Sequence, residues 1–308
     1  MQADLAGDPS GRRGVWTGLR LEQISQALAD LDIAACPNTV RRLLDKLDYS
    51  LQANRKSFSP KQSPDRDRQF RCIRRQRQKF QRMRCPIISV DTKKKELIGH
   101  FANRGRVWSR QAPQVNDHDF PSWALGLAIP YGLHDSLANR GSVFVGTTHD
   151  TPAFATEAIA AWWRREGQAR YANAQHLLIL ADSGGSNGAR CRAWKLGLQE
   201  QVADRYQLHV TVCHYPTGAS KWNPVEHRLF GEISKHWAGK PLDSYETILR
   251  EIRETRTRTG LRVKSYLVTK SYETGQKVSD LQFSQIDLAK HAVLPKWNYT
   301  IHPRQNRN

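Results

Sequence analysis

Apolar residues recur at two different spacings along this chain, and the change from one to the other divides it. From Leu21 the spacing is helical, with Leu21, Ile24, Leu28 and Leu31 on one side. Cys36-Pro37-Asn38-Thr39 then supplies a turn and a cap, and Val40, Leu43, Leu44 and Leu47 line a second helix. Ahead of about position 15 the chain is polar and Gly-rich without periodicity, which predicts an unstructured lead-in. Residues 50–64 are polar with two prolines and predict a linker. Phe70, Ile73, Phe80 and Met83 return at helical spacing and predict an amphipathic helix over 68–84. From Cys85 the pattern changes to short apolar runs, at 87–90, 97–101, 143–146, 177–181 and 208–214, which read as buried strands. Helices fall between them. Thr151-Pro152 starts one carrying Phe154, Ala158 and Trp162, and Ser186-Asn187 starts another carrying Trp194, Leu198 and Val202. A third runs from Asn223 through Ile233 to Trp237. Strands alternating with helices indicate an α/β domain, a mixed sheet with helices on its faces. After about residue 258 the periodicity fades, and the remainder reads as a basic extension of short strands and turns. The expected divisions are 1–57, 58–85, 86–258 and 259–308.

Charge narrows the partner. The 308 residues carry 48 Lys and Arg against 29 Asp and Glu, net +19, which points to a polyanion, nucleic acid first. No apolar run approaches the roughly 20 residues of a membrane span, and no signal-peptide pattern opens the chain. The five cysteines are scattered, odd in number and without a Cys-x-x-Cys pair, as in reduced cytoplasmic proteins. The two N-terminal helices form a helix-turn-helix candidate that would present Arg41, Arg42 and Lys46 to DNA; a plain helical hairpin contacting protein is the alternative. Positions 68–84 hold eight cations and no acid, and Arg71, Arg74 and Arg75 are expected to meet phosphates.

Three acids sit at element ends. Asp91 closes 87–90, Asp182 closes 177–181, and Glu226 falls three residues past the helix cap Asn223. Glu226 could be a capping-box residue, reaching back to the Asn223 N–H. An acid ending a buried strand is costly unless paired or metal-bound, and three such acids in so basic a chain suggest a divalent-metal site acting on phosphates. Lys93, Lys94 and Lys95 beside Asp91, Asn187 in the Ser-Gly-Gly-Ser-Asn-Gly loop after Asp182, and Lys221 and Asn223 before Glu226 are expected nucleic-acid contacts. Asp150 and His227 are expected to support the acids rather than join them. The Gly-rich loop lacks the Lys-Ser/Thr ending of a nucleotide-binding P-loop, and no His/Cys pair has structural-zinc spacing.

The blocks Val90-Asp91-Thr92-Lys93-Lys94-Lys95-Glu96, Ala181-Asp182-Ser183-Gly184-Gly185-Ser186-Asn187-Gly188 and Ser220-Lys221-Trp222-Asn223-Pro224-Val225-Glu226-His227 resemble those of bacterial insertion-sequence DDE transposases of the Rhodopirellula type. The resemblance runs from Tyr49 to Ile301 and includes Thr257 to Val263. It implies a ribonuclease H-like catalytic domain with Asp91 on the first strand, Asp182 on the fourth and Glu226 on a later helix. It further implies two Mg²⁺ or Mn²⁺ ions held by these carboxylates, cleavage and strand transfer of DNA bearing terminal inverted repeats, and a homodimer or higher assembly on DNA. A bacterial, nucleoid-associated location is expected with it. Members usually carry more chain ahead of Gly7-Asp8-Pro9, and Ser10 to Val15 diverge, which suggests a shortened gene product. Two other readings stay open: a truncated DNA-binding protein without catalysis, and a ribonuclease H-like nuclease without strand transfer.

Overall fold

The computed structural model describes residues 5–7, 15–51 and 63–304, and the chain divides into two units after Phe58. Most of the expected linker, 52–62, and all but Val15 of the divergent segment 10–15 lie outside the described residues.

In the first unit, β1 (Leu5–Gly7) pairs antiparallel with β2 (Val15–Thr17), Ala6 opposite Trp16. The expected unstructured lead-in therefore contributes a strand pair, because strands this short leave no periodicity to read. α1 (Leu21–Ala29) and α2 (Pro37–Lys46) follow as expected, with Pro37 at the first position of α2. Ser25 Oγ donates to Ala35 O across the turn. Val40 is buried, whereas Leu43 and Leu47, expected on the apolar side, stand exposed. Arg41, Arg42 and Lys46 are exposed.

The second unit is built on α3 (Arg66–Arg82), β3 (Ile87–Thr92), β4 (Glu96–Ile98), β5 (Gly126–Asp135), β6 (Arg140–Gly146), α4 (Pro152–Trp162), β7 (His176–Ala181), α5 (Arg192–Leu198) and β8 (His209–His214). α6 (Gly231–His236), α7 (Tyr245–Glu254), β9 (Arg262–Val268), α8 (Asp280–Ser284), β10 (Leu288–Lys290) and β11 (Asn298–Ile301) complete it. The main sheet has the order β10-β11-β8-β7-β3-β5-β6-β9, with β4 also pairing β5. Its five central strands, taken by sequence, lie 3-2-1-4-5. β3 runs antiparallel to β5 and parallel to β7, and β7 runs parallel to β8. This is the ribonuclease H-like arrangement that the resemblance implied.

Both faces of the sheet are covered, so its strands read as continuous apolar runs rather than alternating ones. Leu177, Ile179 and Ala181 join Ile88 and Val90 in the core beneath α4 and α5, where Trp162 and Trp194 are buried. Leu178 and Leu180 face the other way with Ile87, against Ile73 and Phe80 of α3. Burying side chains of this size contributes about 1.5–3 kcal/mol each. That burial seats the basic helix on the sheet and leaves Arg71, Arg74 and Arg75 outside. Met83, expected on the packed side, is exposed because α3 ends at Arg82. Gln69, also buried in α3, donates to His214 O and Asn298 Oδ1 at 2.8 Å each, and Asn298 returns a bond to its Oε1 at 2.7 Å.

Three further readings are corrected. β5, the longest strand, was hidden by Gly126, Pro130 and Gly132, which read as breakers. Pro130 fits because it falls between the stretch paired with β4 (126–128) and the stretch paired with β3 (131–135). The C-terminal stretch is no appendage: β9 extends the sheet beyond β6, and β11 pairs with β8 at the opposite side. The expected strand over 97–101 is the shorter β4, which ends before Gly99 at φ 143°.

Candidate active site

The register of β3 on β7 brings the two aspartates together. Val90 lies opposite Ala181 in this parallel pair, so the next residues, Asp91 and Asp182, leave neighbouring strands about 4.8 Å apart. Period-two alternation points both to one side of the sheet, after Ile87 and Ser89 on one strand and Leu178 and Leu180 on the other.

Ser89, one pleat back, places the third acid. Its Oγ accepts the Val225 N–H at 2.8 Å and donates to Asn223 Oδ1. Asn223 is fully buried, and its Nδ2 donates to Val90 O at 3.2 Å and to Asp182 Oδ1 at 3.1 Å. The capping box is therefore not formed. The Asn223 N–H bonds Ser220 O at 2.7 Å, Ser89 caps the helix from the strand, and Glu226 shares a hydrogen bond with Asp91. Glu226–Phe230 forms one wide π-type turn leading into α6, a feature common at functional sites. Leu229 and Phe230 on this turn press on strand glycines. A Cβ at Gly132 would meet Phe230 Cε1 at 2.3 Å, and one at Gly141 would meet Leu229 Cδ1 at 2.4 Å. Since Gly132 is the register partner of Asp91, the missing Cβ lets the Glu226 helix settle over Asp91.

Burial and mutual repulsion perturb all three acids. Asp91 is pushed up to about 8 by burial, then by the Asp182 charge, with Glu226 adding to both; the Thr92 N–H at 2.8 Å opposes this. Asp182 is pushed up to about 6 by burial and by Glu226, against the Asn223 donor. Glu226 is raised by burial, while its bond to Asp91 and the charge of Lys93 pull it down. Among the described residues none of the three makes an ion pair. Neighbouring carboxylates are the donor chemistry of a hard divalent ion, but among the described residues only His236, Glu251 and Glu254 bring three ligand atoms within 4.8 Å of one another. Oxygen ligands favour Mg²⁺ or Mn²⁺ as that ion. Asp91, Asp182 and Glu226 are the residues that would hold it.

A cleft of about 270 Å³ opens over the pair, lined by Asp91, Thr92, Asp150, Asp182, Gly184, Gly185 and Ser186. Thr92 Oγ1 donates to Asp150 Oδ1 at 3.1 Å, so Asp150 stands in the cleft wall. Lys94, Lys95, Lys221 and His227 are exposed. Three expected nucleic-acid contacts face the protein instead. Asn187 is buried and accepts from Tyr131 OH at 2.9 Å, and Asn223 is spent on Asp182. Lys93 pairs with Glu96 at 2.6 Å and lies over the Trp237 ring at 4.6 Å. Sequence reasoning missed a second support. His214 Nδ1 donates to Asp182 O at 2.8 Å, its Nε2 accepts from Tyr299 OH at 3.0 Å, and Trp194 Nε1 donates to that oxygen at 3.1 Å. Burial holds His214 down at about 4, hence neutral, and the carbonyl fixes Nδ1 as the donor. Only the apolar company of these residues was visible in the sequence.

Strand order and acid geometry together define a ribonuclease H-like protein with a carboxylate triad. A family model described as the Rhodopirellula transposase DDE domain matches residues 1–303, and the chain belongs to that family. No curated protein matches it. Among solved structures, the Mos1 transposase paired-end complex with left transposon end matches at 14% identity and TM-score 0.44, over 76% of this chain and 65% of its own. The mariner Mos1 paired end complex with Mg matches at 14% identity and TM-score 0.44, over 80% and 71%. The chain thus spans somewhat less than two thirds of the first of these proteins. Among the described residues no helix is long and apolar enough to cross a membrane.

Proposed function

We propose that this protein is a DNA transposase catalysing metal-dependent phosphodiester cleavage and strand transfer of an insertion sequence. The observation that carries the reading is the convergence of Asp91, Asp182 and Glu226, half-buried and without an ion pair among the described residues. Two Mg²⁺ or Mn²⁺ ions, when bound, supply activation of the attacking oxygen and charge stabilisation at the leaving oxygen. The chain's own residues set the stage. Ser89 and Asn223 fix Asp182 and the start of the Glu226 helix, and His214 holds the backbone of Asp182. Gly184 and Gly185 are exposed, and a Cβ on either would meet nothing within 4 Å, so the loop leaves room for a phosphate backbone beside the acids. The exposed cations of α3 supply phosphate neutralisation, and Arg41, Arg42 and Lys46 on α2 supply contacts to the terminal repeats. In cleavage, water attacks the phosphorus and a 3′-OH leaves; in joining, that 3′-OH attacks a target phosphodiester, so no covalent enzyme intermediate arises. Pairing two element ends calls for a homodimer or larger assembly on DNA.

The test is incubation of the full chain with Mg²⁺ and a plasmid carrying the repeats that flank its gene. The reading expects nicked and joined products. Asp182→Asn or Glu226→Gln should lower their yield by on the order of a thousand-fold, the scale of several kcal/mol of metal-ion stabilisation. DNA binding should stay within about threefold by filter retention, the loss being confined to charge stabilisation in the transition state. Nicking by these variants at the unsubstituted rate contradicts the proposal, and nicking without joined DNA reduces it to a nuclease.

A further inference from the structure

Trp222 directly precedes Asn223, whose amide holds Asp182, yet its own ring is 51% exposed. Consecutive Cα atoms lie about 3.8 Å apart, so the backbone of Trp222 adjoins the residue whose amide holds Asp182. Its edge is anchored rather than free. Phe70 of α3 meets it at 6.1 Å between centroids in a T-shaped contact, and Phe70 also meets Tyr215 at 6.0 Å. Tyr215 belongs to the site as well, since its backbone oxygen accepts from Ser183 Oγ, and Asp182 and Arg77 both act on its hydroxyl. Cations flank the rings: Lys221 Nζ stands 5.7 Å from the Trp222 centroid and Arg66 Cζ 5.6 Å from that of Phe70. An aromatic face held at its edge, open to solvent, bordered by cations and next to a phosphate-directed carboxylate site has the features of a base-stacking platform.

We propose that the open face of Trp222 stacks an unpaired nucleobase at the DNA end presented to the acid cleft. The substrate class is then a duplex end with a frayed or overhanging strand. The inference rests on the nucleic-acid reading of the cleft given above. An aliphatic partner protein would gain from the apolar ring but not from Lys221, whereas a nucleotide gains from both.

The experiment uses the full chain in EDTA, so that no strand is cut. Binding is measured for a blunt duplex and for the same duplex with a short single-stranded 3′ tail containing a fluorescent adenine analogue. The unsubstituted protein should prefer the tailed duplex and quench the analogue. Trp222→Ala should lose about 5- to 150-fold of affinity for the tailed duplex, the span seen when one stacking aromatic is removed, while blunt-duplex affinity stays within about threefold. Trp222→Phe should keep most of the preference and the quenching, which a merely structural role for the edge contact with Phe70 would not require. Equal affinities for the two duplexes, or undiminished quenching by Trp222→Ala, overturns the proposal. Tail preference without metal-dependent nicking would leave the platform standing and remove the catalytic reading; nicking without tail preference would remove the platform alone.

Discussion

A buried and a half-buried group of acids lie at opposite ends of one sheet, and they are treated differently. Asp135 ends β5 opposite Ile88, at the start of β3, and is fully buried. Arg170 Nη1 donates to it at 2.9 Å, Tyr171 OH at 2.8 Å, and the Leu137 and Ala138 N–H groups at 3.2 and 3.1 Å. Glu166 nearby accepts from Ser142 at 2.6 Å and Tyr266 at 3.2 Å, with Arg170 and Lys264 within 3.7 Å. At the other end Asp91 and Asp182 have amide donors, and the three acids Asp91, Asp182 and Glu226 form no ion pair among the described residues. Asp135 and Glu166 are buried and have a cation beside them, whereas Asp91, Asp182 and Glu226 are half-buried and form no ion pair among the described residues. An uncompensated acidic cluster is costly to the apo fold, and that cost is what a bound divalent ion would remove. A third group, His236, Glu251 and Glu254, shows the intermediate case, for Lys240 Nζ already sits 2.6 Å from Glu251 Oε2 where a cation would go.

The largest effect expected from this contrast is on stability at the satisfied end. Asp135→Ala strands Arg170 and the Tyr171 hydroxyl and should cost about 2–4 kcal/mol, the lower part of the range for broken buried pairs because Arg170 reaches solvent. Thermal unfolding should show it with or without Mg²⁺. The opposite sign is expected at the cleft. Asp91 and Asp182 have folded pKa values raised above 3.8, to about 8 and about 6, so the folded chain binds protons more readily than the unfolded one. Their repulsion is absent near pH 4 and grows as pH rises to 8, lowering metal-free stability across that window. Asp91→Asn should therefore raise the metal-free Tm by a few degrees at pH 8 and leave it nearly unchanged at pH 4. An equal shift at both pH values would show the acids to be compensated after all. The smallest effect is electrostatic and remote: Arg71→Ala, Arg74→Ala and Arg75→Ala together should lower the slope of log affinity against log salt by up to about 0.9 per lost contact, leaving Tm in place.

How much of this was legible in the sequence depends on what each residue contacts. Asp91 and Asp182 stood out because a charged residue ending an apolar run is conspicuous, and a β3–β7 pairing is enough to join them. α3 was legible through its 3.6-residue repeat, and its cations remain outside. β5 was not, because Gly132 is there for Phe230 and Pro130 for a gap between neighbouring strands, reasons that exist only in three dimensions. The roles of Asn187 and Asn223 were misassigned for a similar reason. An amide in a loop beside an acid looks the same in sequence whether it faces solvent or Tyr131 and Asp182. The C-terminal strands escaped notice because short runs such as 298–301 are paired on the sheet by β8, far away in sequence.

The central claim, that Asp91, Asp182 and Glu226 form a cation pocket the protein leaves uncompensated, is tested most directly by titrating the DNA-free chain with Mn²⁺ and following the free ion by electron paramagnetic resonance. The account predicts saturable uptake at pH 8, weakened at pH 6 because Asp91 must lose its proton to bind, and lost on combining Asp91→Asn with Asp182→Asn. Uptake by that double variant equal to the unsubstituted chain, through His236 and Glu251 or any other group, would contradict it.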